Sequence, residues 1–202
     1  MKRLTTRDLV YIAVFGALWG AVEITLGSYL HAVFPQVVTP IVDAGTIMTA
    51  IGIIIALVGR LFVPRTGAVL MIGVVAAILK GFSISGVKLS PMLAIVIECL
   101  LVEVGLLIKR DSRRWGFALA GALALTWTFF HKFFGSYVFL GKSMTAVYTG
   151  MVKQGAQVLG IDPSWAIAII ALFLLIRVLM GGLAGWLAWD LGGSVRRRLA
   201  RE

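Results

Sequence analysis

Glu23, Glu98, Glu103, Lys80, Lys132, Arg177 and His131 all fall inside stretches of the chain that are otherwise apolar. Charges in such surroundings need a partner or a role. Spacing suggests two arrangements. Arg177 lies thirteen residues after Ser164, and Glu103 thirteen after Ser90. At about 1.5 Å per residue both reach one depth if those serines open helices. The expectation is a structural ion pair, Glu103 with Arg177, in which each charge offsets the other's desolvation. Glu23, Lys80, Glu98, Trp127, His131 and Lys132 form a second set nearer the opposite helix ends, accompanied by Tyr29, Phe130 and Tyr137. Carboxylates, cations and rings contributed by several helices suit a small polar heterocycle, which needs directional hydrogen bonds to fix it and flat surfaces to stack on. Interhelical ion pairs and an interfacial aromatic belt would use the same residues structurally.

Catalytic signatures are scarce. No GxxxxGK[ST], HExxH, CxxC or GxSxG occurs, which removes the commonest ATPase, zinc-protease, metal-thiolate and hydrolase patterns. GFSIS at 81–85 is the nearest approach to a serine nucleophile. An intramembrane serine hydrolase would need a histidine facing it from a later helix, whereas His31 and His131 lie in the first and fifth apolar stretches. Gly81, Ser83, Ser85 and Gly86 read instead as a helix break. The single cysteine, Cys99, sits in an apolar run and reads as a packing residue. No enzyme activity, metal site or cofactor is expected.

The elements that position these residues follow from composition. The 202-residue chain is 60% hydrophobic and 14% charged, too few polar side chains to cover a water-soluble globule. Six spans can be counted, about 9–31, 44–63, 66–84, 90–108, 115–139 and 164–190, each near or above the roughly 20 residues that cross a bilayer. The first apolar stretch is too long for a signal-peptide core, and no two-fold internal repeat is visible. Lys2, Arg3, Arg7, Arg60, Arg65, Lys109, Arg110, Arg113, Arg114, Arg196, Arg197, Arg198 and Arg201 share one side of this layout, against Lys88, Lys142 and Lys153 in the loops opposite. The positive-inside rule then places both termini in the cytoplasm. The net charge of +10 reports topology, so no nucleic-acid partner is implied, and RRRLAR at the end reads as a solvated, lipid-facing tail. The resulting expectation is an all-α protein of the cytoplasmic membrane, one multi-pass domain over 1–202. Its long outer loop, 141–164, would form a weakly amphipathic helix with Tyr148, Met151 and Val152 on the apolar side.

Residues 13–21, AVFGALWGA, carry two rows of small residues, Ala13, Ala17 and Ala21 beside Gly16 and Gly20. On a helix they make a shallow face that another helix can approach closely in lipid. With this pattern, six spans, cytoplasmic termini and a long fifth loop, the chain resembles the substrate-binding S-components of energy-coupling factor (ECF) vitamin importers over nearly its whole length. The stretch from Gly67 to Leu106, with GAVL, LKGFSISG and MLAIVIECLLVE, loosely resembles members for thiamine precursors and related vitamins. The resemblance implies a module without ATPase activity that binds a water-soluble vitamin or precursor from outside. It also implies that the small-residue face of the first helix docks on a transmembrane T-component carried by two ATPase subunits. The main alternative is a small ion-coupled secondary transporter using Glu98 or Glu23 as its protonated group, with an intramembrane enzyme third.

Overall fold

Thr5 and Asp8 open the first helix through a reciprocal cap. The Thr5 N–H donates to Asp8 Oδ2 at 2.9 Å and the Asp8 N–H to Thr5 Oγ1 at 3.2 Å, satisfying two donors that a helix start leaves over. Arg65 reaches Asp8 at 3.2 Å and ties this start to the turn after the second helix. The computed structural model describes residues 4–33, 42–82, 89–108, 113–141 and 143–199. Its helices are α1 (Thr6–Val33), α2 (Ala44–Phe62), α3 (Ala68–Gly81), α4 (Leu89–Ile108), α5 (Arg113–Leu140), α6 (Met144–Leu159) and α7 (Ala166–Leu199). Asp43 caps α2 by accepting the Thr46 N–H at 2.6 Å, and Ser143 caps α6. Gly67, at φ +88, makes the left-handed turn into α3. Between α6 and α7, Asp162 accepts the Ser164 N–H at 2.7 Å. Hydrogen bonds from the side chain and backbone of Ser164 hold that carboxyl below the usual carboxylate range. No strand occurs among the described residues.

Thr6–Gly27, Ala44–Phe62, Leu89–Ile108 and Pro163–Arg198 are long and apolar enough to cross a membrane, and Ala68–Gly81 is apolar but shorter. Val14, Leu18, Leu93, Leu100 and Leu183 stand exposed on the outside of the bundle, an exterior that hydrocarbon would cover. The helix ends bearing Arg7, Arg60, Arg65, Arg114 and Arg196 define a basic end, and the starts of α2, α4 and α7 lie toward the opposite, far end.

Glycines set the helix contacts. A Cβ on Gly121 would fall 2.1 Å from the Gly181 carbonyl oxygen, and one on Gly185 only 1.9 Å from that of Phe117. Thus α5 and α7 touch backbone to backbone, as small residues permit in membrane proteins. In the same way Gly105 of α4 lies on Ala120 of α5, and Gly73 of α3 on Cys99 of α4. Cys99 is buried, as a packing residue should be.

With 34 residues, α7 is about 51 Å long, while the 19-residue α2 is about 28 Å. Gly192 packs on Leu61 at the basic end, so the first turns of α7 extend past the start of α2. There α6 covers them: Val152 and Ala156 meet Ile169, Phe173 and Phe129 in a second, smaller core. Helix α6 lies within the expected loop, but Tyr148 is exposed and the packed side is Val152, Gly155 and Ala156.

Candidate functional site

The stretch AVFGALWGA divides into three faces. Trp19 is fully buried, its indole packed against Gly52 of α2, where a Cβ would stand 2.1 Å from Nε1. Gly16 and Gly20 face α3, with Val75 and Leu79 in the space their side chains would need. Those two glycines therefore belong to an intramolecular contact, which corrects their assignment to a partner-docking face. Ala13, Ala17 and Ala21 point outward with Val10, Val14 and Leu18. Both rows are equally small, and only the packing of α3 decides which turns in.

Further along α1, Glu23 meets Lys80 of α3. The Lys80 ammonium lies 3.0 Å from Glu23 Oε2 and donates to the Glu23 carbonyl at 3.1 Å. Gly27 borders this pair, and a Cβ there would stand at ordinary contact distance, 3.6 Å from Lys80 Nζ and 3.7 Å from Glu23 Oε2. Beside it Glu98 of α4 is buried and accepts a hydrogen bond from the Thr49 hydroxyl of α2 at 3.1 Å. Glu23 is within electrostatic reach of Glu98. Four helices thus contribute two carboxylates, one ammonium and one hydroxyl to a single polar cluster. Removing Lys80 alone strands the Glu23 carboxylate in an apolar bundle. Lys80→Met is expected to destabilise the protein by about 3 kcal/mol, and the double variant Glu23→Gln/Lys80→Met by clearly less; thermal unfolding in detergent measures both.

A neighbouring group joins α4, α5 and α7. Ser90 and His131 Nε2 are 3.2 Å apart. Trp127 stacks on Phe134 with ring centres 5.6 Å apart and lies 6.4 Å from the His131 ring. The Trp127 Nε1–H is buried without an acceptor among the described residues. Arg177, fully buried, donates to Thr128 Oγ1 and to the Phe173 carbonyl, each at 3.2 Å. Asp43, at the start of α2, lies within electrostatic reach of both Arg177 and His131. The side chains of His31 and Lys132 lie outside the described residues.

The expected pairing of Glu103 with Arg177 is corrected. Glu103 instead accepts the Val69 N–H at 2.9 Å, placing its charge at the N-terminus of α3, where a helix dipole favours an anion. Gly105 touches Ala120, and Thr128, the Arg177 partner, stands eight residues further out on α5. Gly121 touches Gly181, so the Arg177 backbone lies about 4.5 Å further out along the bundle than Glu103, and its guanidinium turns further out still, to Thr128. Counting from helix starts failed because each side chain turns to another partner, Glu103 to the start of α3 and Arg177 outward to Thr128 and the Phe173 carbonyl. Glu103→Gln keeps an acceptor for the Val69 N–H but removes the charge at the start of α3, and is expected to cost about 1 kcal/mol. Its effect and that of Arg177→Met should add within about 0.5 kcal/mol, as for residues not in contact. A coupling well above that in a double-mutant cycle would restore the pair.

Asp43, Thr46, Thr49 and Thr128 were not foreseen as part of the polar interior. The signal was present: Thr46 and Thr49, three residues apart in an apolar helix, share one face, and both are buried. Thr46 donates its hydroxyl to Asp43 at 2.7 Å.

An all-helical bundle with several membrane-length spans, an apolar exterior and ionisable side chains gathered inside defines a multi-pass membrane protein. Residues 7–130, well over half the chain, match the family described as ABC-type cobalt transport system, permease component, and the chain belongs to that family. It is a membrane component of ABC-type transport, not a class of enzymes. The matched region holds α1 to most of α5, including Glu23, Thr49, Lys80, Glu98 and Trp127. No curated protein and no solved structure matches the chain.

Proposed function

We propose that this protein is the substrate-specificity component of an ECF-type ABC importer, binding a water-soluble vitamin or vitamin precursor of the thiamine-pathway kind from the extracytoplasmic side. In this reading the chain crosses the membrane six times with both termini cytoplasmic. The observation that carries the proposal is the set of buried groups toward the far end whose bonding capacity exceeds what the described residues use. Among those residues Glu98 accepts a hydrogen bond only from the Thr49 hydroxyl, and the Trp127 N–H has no acceptor. A planar heterocycle with ring nitrogens and an amino group offers the matching donor, acceptor and stacking face. Lys80 holds Glu23 in place beside Glu98, and His131 stands near the Trp127 ring. A T-component and two ATPase subunits would supply the energy, with the exposed Ala13, Ala17 and Ala21 row as the docking face.

The family description names cobalt, and the described residues bring no three of His, Cys, Asp and Glu together as a metal site. Mass spectrometry of small molecules released from the purified protein, with elemental analysis of the same sample, distinguishes the substrates. A bound heterocycle supports the proposal, whereas stoichiometric cobalt without one overturns it. With the ligand in hand, Glu98→Gln and Trp127→Ala are each expected to weaken binding about tenfold to a hundredfold, through loss of a charge-assisted hydrogen bond or of a stacking face with its donor. Isothermal titration of the folded variants measures this, and unchanged affinity in both removes the cluster as the site. Proton-driven uptake by the chain alone in proteoliposomes would favour the secondary carrier.

A further inference from the structure

At the basic end, far from the polar cluster, α2 and α7 part around a cleft lined by Leu61, Trp189, Asp190, Gly193, Arg196 and Arg197. Three features give it a shape and a charge. Gly192 is pressed onto Leu61 and Val58 of α2, but the space around Gly193 is open, with nothing within 4 Å of a Cβ placed there. Trp189 is fixed by an edge-to-face contact with Phe117, ring centres 5.1 Å apart. Its indole forms an apolar wall at the level where tryptophans favour the lipid headgroups. Asp190, the only acid among the described residues that line the cleft, is already engaged by both oxygens with Arg114 of α5, whose guanidinium also lies 4.2 Å from the centre of the Trp186 ring.

The cleft therefore has surplus positive charge. Among the described residues Arg197 hydrogen-bonds only the Ser194 hydroxyl, at 3.3 Å, which itself donates to the Asp190 carbonyl. Arg196 makes no ion pair with a described residue. Basic residues at a helix C-terminus also suit the helix dipole, but that would not require a cleft, an apolar wall or a neutralised acid beside them. We propose that this cleft is a site for the phosphate of an anionic phospholipid headgroup. Arg196 and Arg197 would hold the phosphate oxygens, with the apolar Leu61 and Trp189 surfaces alongside the start of the acyl chains. A guanidinium offers paired donors matched to phosphate oxygens, and the apolar wall distinguishes a lipid from a soluble phosphate.

The experiment is native mass spectrometry of the full chain released from nanodiscs of phosphatidylcholine with one-fifth phosphatidylglycerol by design. Retention of phosphatidylglycerol well above its share is expected for the parent protein. Arg196→Gln should reduce that retention about fivefold, and Arg196→Gln/Arg197→Gln about thirtyfold. Gly193→Leu fills the cleft without altering any charge, so it separates a shaped site from general attraction to an anionic surface. It should also abolish the enrichment, while a parent-like melting temperature shows that the fold is intact. Enrichment that survives Gly193→Leu in the folded protein overturns the proposal, as does equal retention of both lipids by the parent. Displacement of phosphatidylglycerol by inorganic phosphate at constant ionic strength would assign the cleft to a soluble phosphate and likewise overturn the lipid assignment.

Discussion

Gly121→Leu is expected to leave almost no folded protein. The Gly121 Cα faces the Gly181 carbonyl so closely that even a Cβ would stand 2.1 Å from that oxygen, and the converse substitution would stand 2.3 Å from the Gly121 oxygen. The obstruction is backbone, which cannot turn aside as a side chain can. Accommodation therefore means separating α5 from α7, with loss of the close dispersion contacts that hold helices together in lipid. A cost of at least about 3 kcal/mol follows, a large share of a typical total stability of about 5–15 kcal/mol. Gly150→Ala is the control: Gly150 lies in α6 with nothing within 4 Å, and alanine there should stabilise the helix slightly. Size-exclusion profile and thermal unfolding in detergent read both variants. A Gly121→Leu protein that stays monodisperse with parental melting would show that α5 and α7 are not in backbone contact.

Ala17→Trp is expected to act in the opposite way, sparing the folded chain and its ligand affinity while lowering reconstituted uptake about tenfold or more. Ala17 is exposed on α1 and lies six residues, about 9 Å, on the basic side of Glu23. A large ring there meets neither the polar cluster nor the α1–α3 contact. On the proposed docking face it would hold a partner helix away by several ångströms, beyond the range of dispersion attraction. The equivalent change at Gly16 should instead damage the fold, because Val75 already occupies that space. Comparing the two variants for ligand binding, and for co-purification with a T-component and its ATPases, tests the division of the small-residue face directly. Normal uptake by Ala17→Trp would remove the exposed alanine row as an interface.

The two rows show where one-dimensional reading stops. Alanine or glycine every fourth residue announces a close helix contact, because small side chains at that spacing share a face. Which row receives the neighbouring helix depends on the rotation of α1 about its own axis. That rotation is set by Trp19 seating on Gly52 and by Val75 and Leu79 filling the gap beside Gly16 and Gly20. Those partners are more than thirty residues away in sequence, and no local pattern specifies them. The charged residues teach the same lesson along the helix axis. Glu23, Lys80, Glu98, Glu103 and Arg177 stood out as buried charges because hydrocarbon penalises each one, and each is largely buried in the fold. Their pairing depended on helix register.

By itself the sequence determined the solvent and the secondary structure: a chain this apolar, with its charges confined to a few positions and its arginines at alternate segment ends, folds as helices that satisfy their own backbone hydrogen bonds in lipid. It also marked most of the polar residues that gather inside, because an ionisable side chain in an apolar run is conspicuous whatever the fold. Tertiary structure decided the partners. Glu103 caps α3 rather than meeting Arg177, Arg177 turns to Thr128, and Thr49 reaches Glu98, since the axial offsets between packed helices fix which residues share a depth. Such offsets arise from where glycines let helices touch, and a contact between distant segments leaves no trace in the spacing of either one.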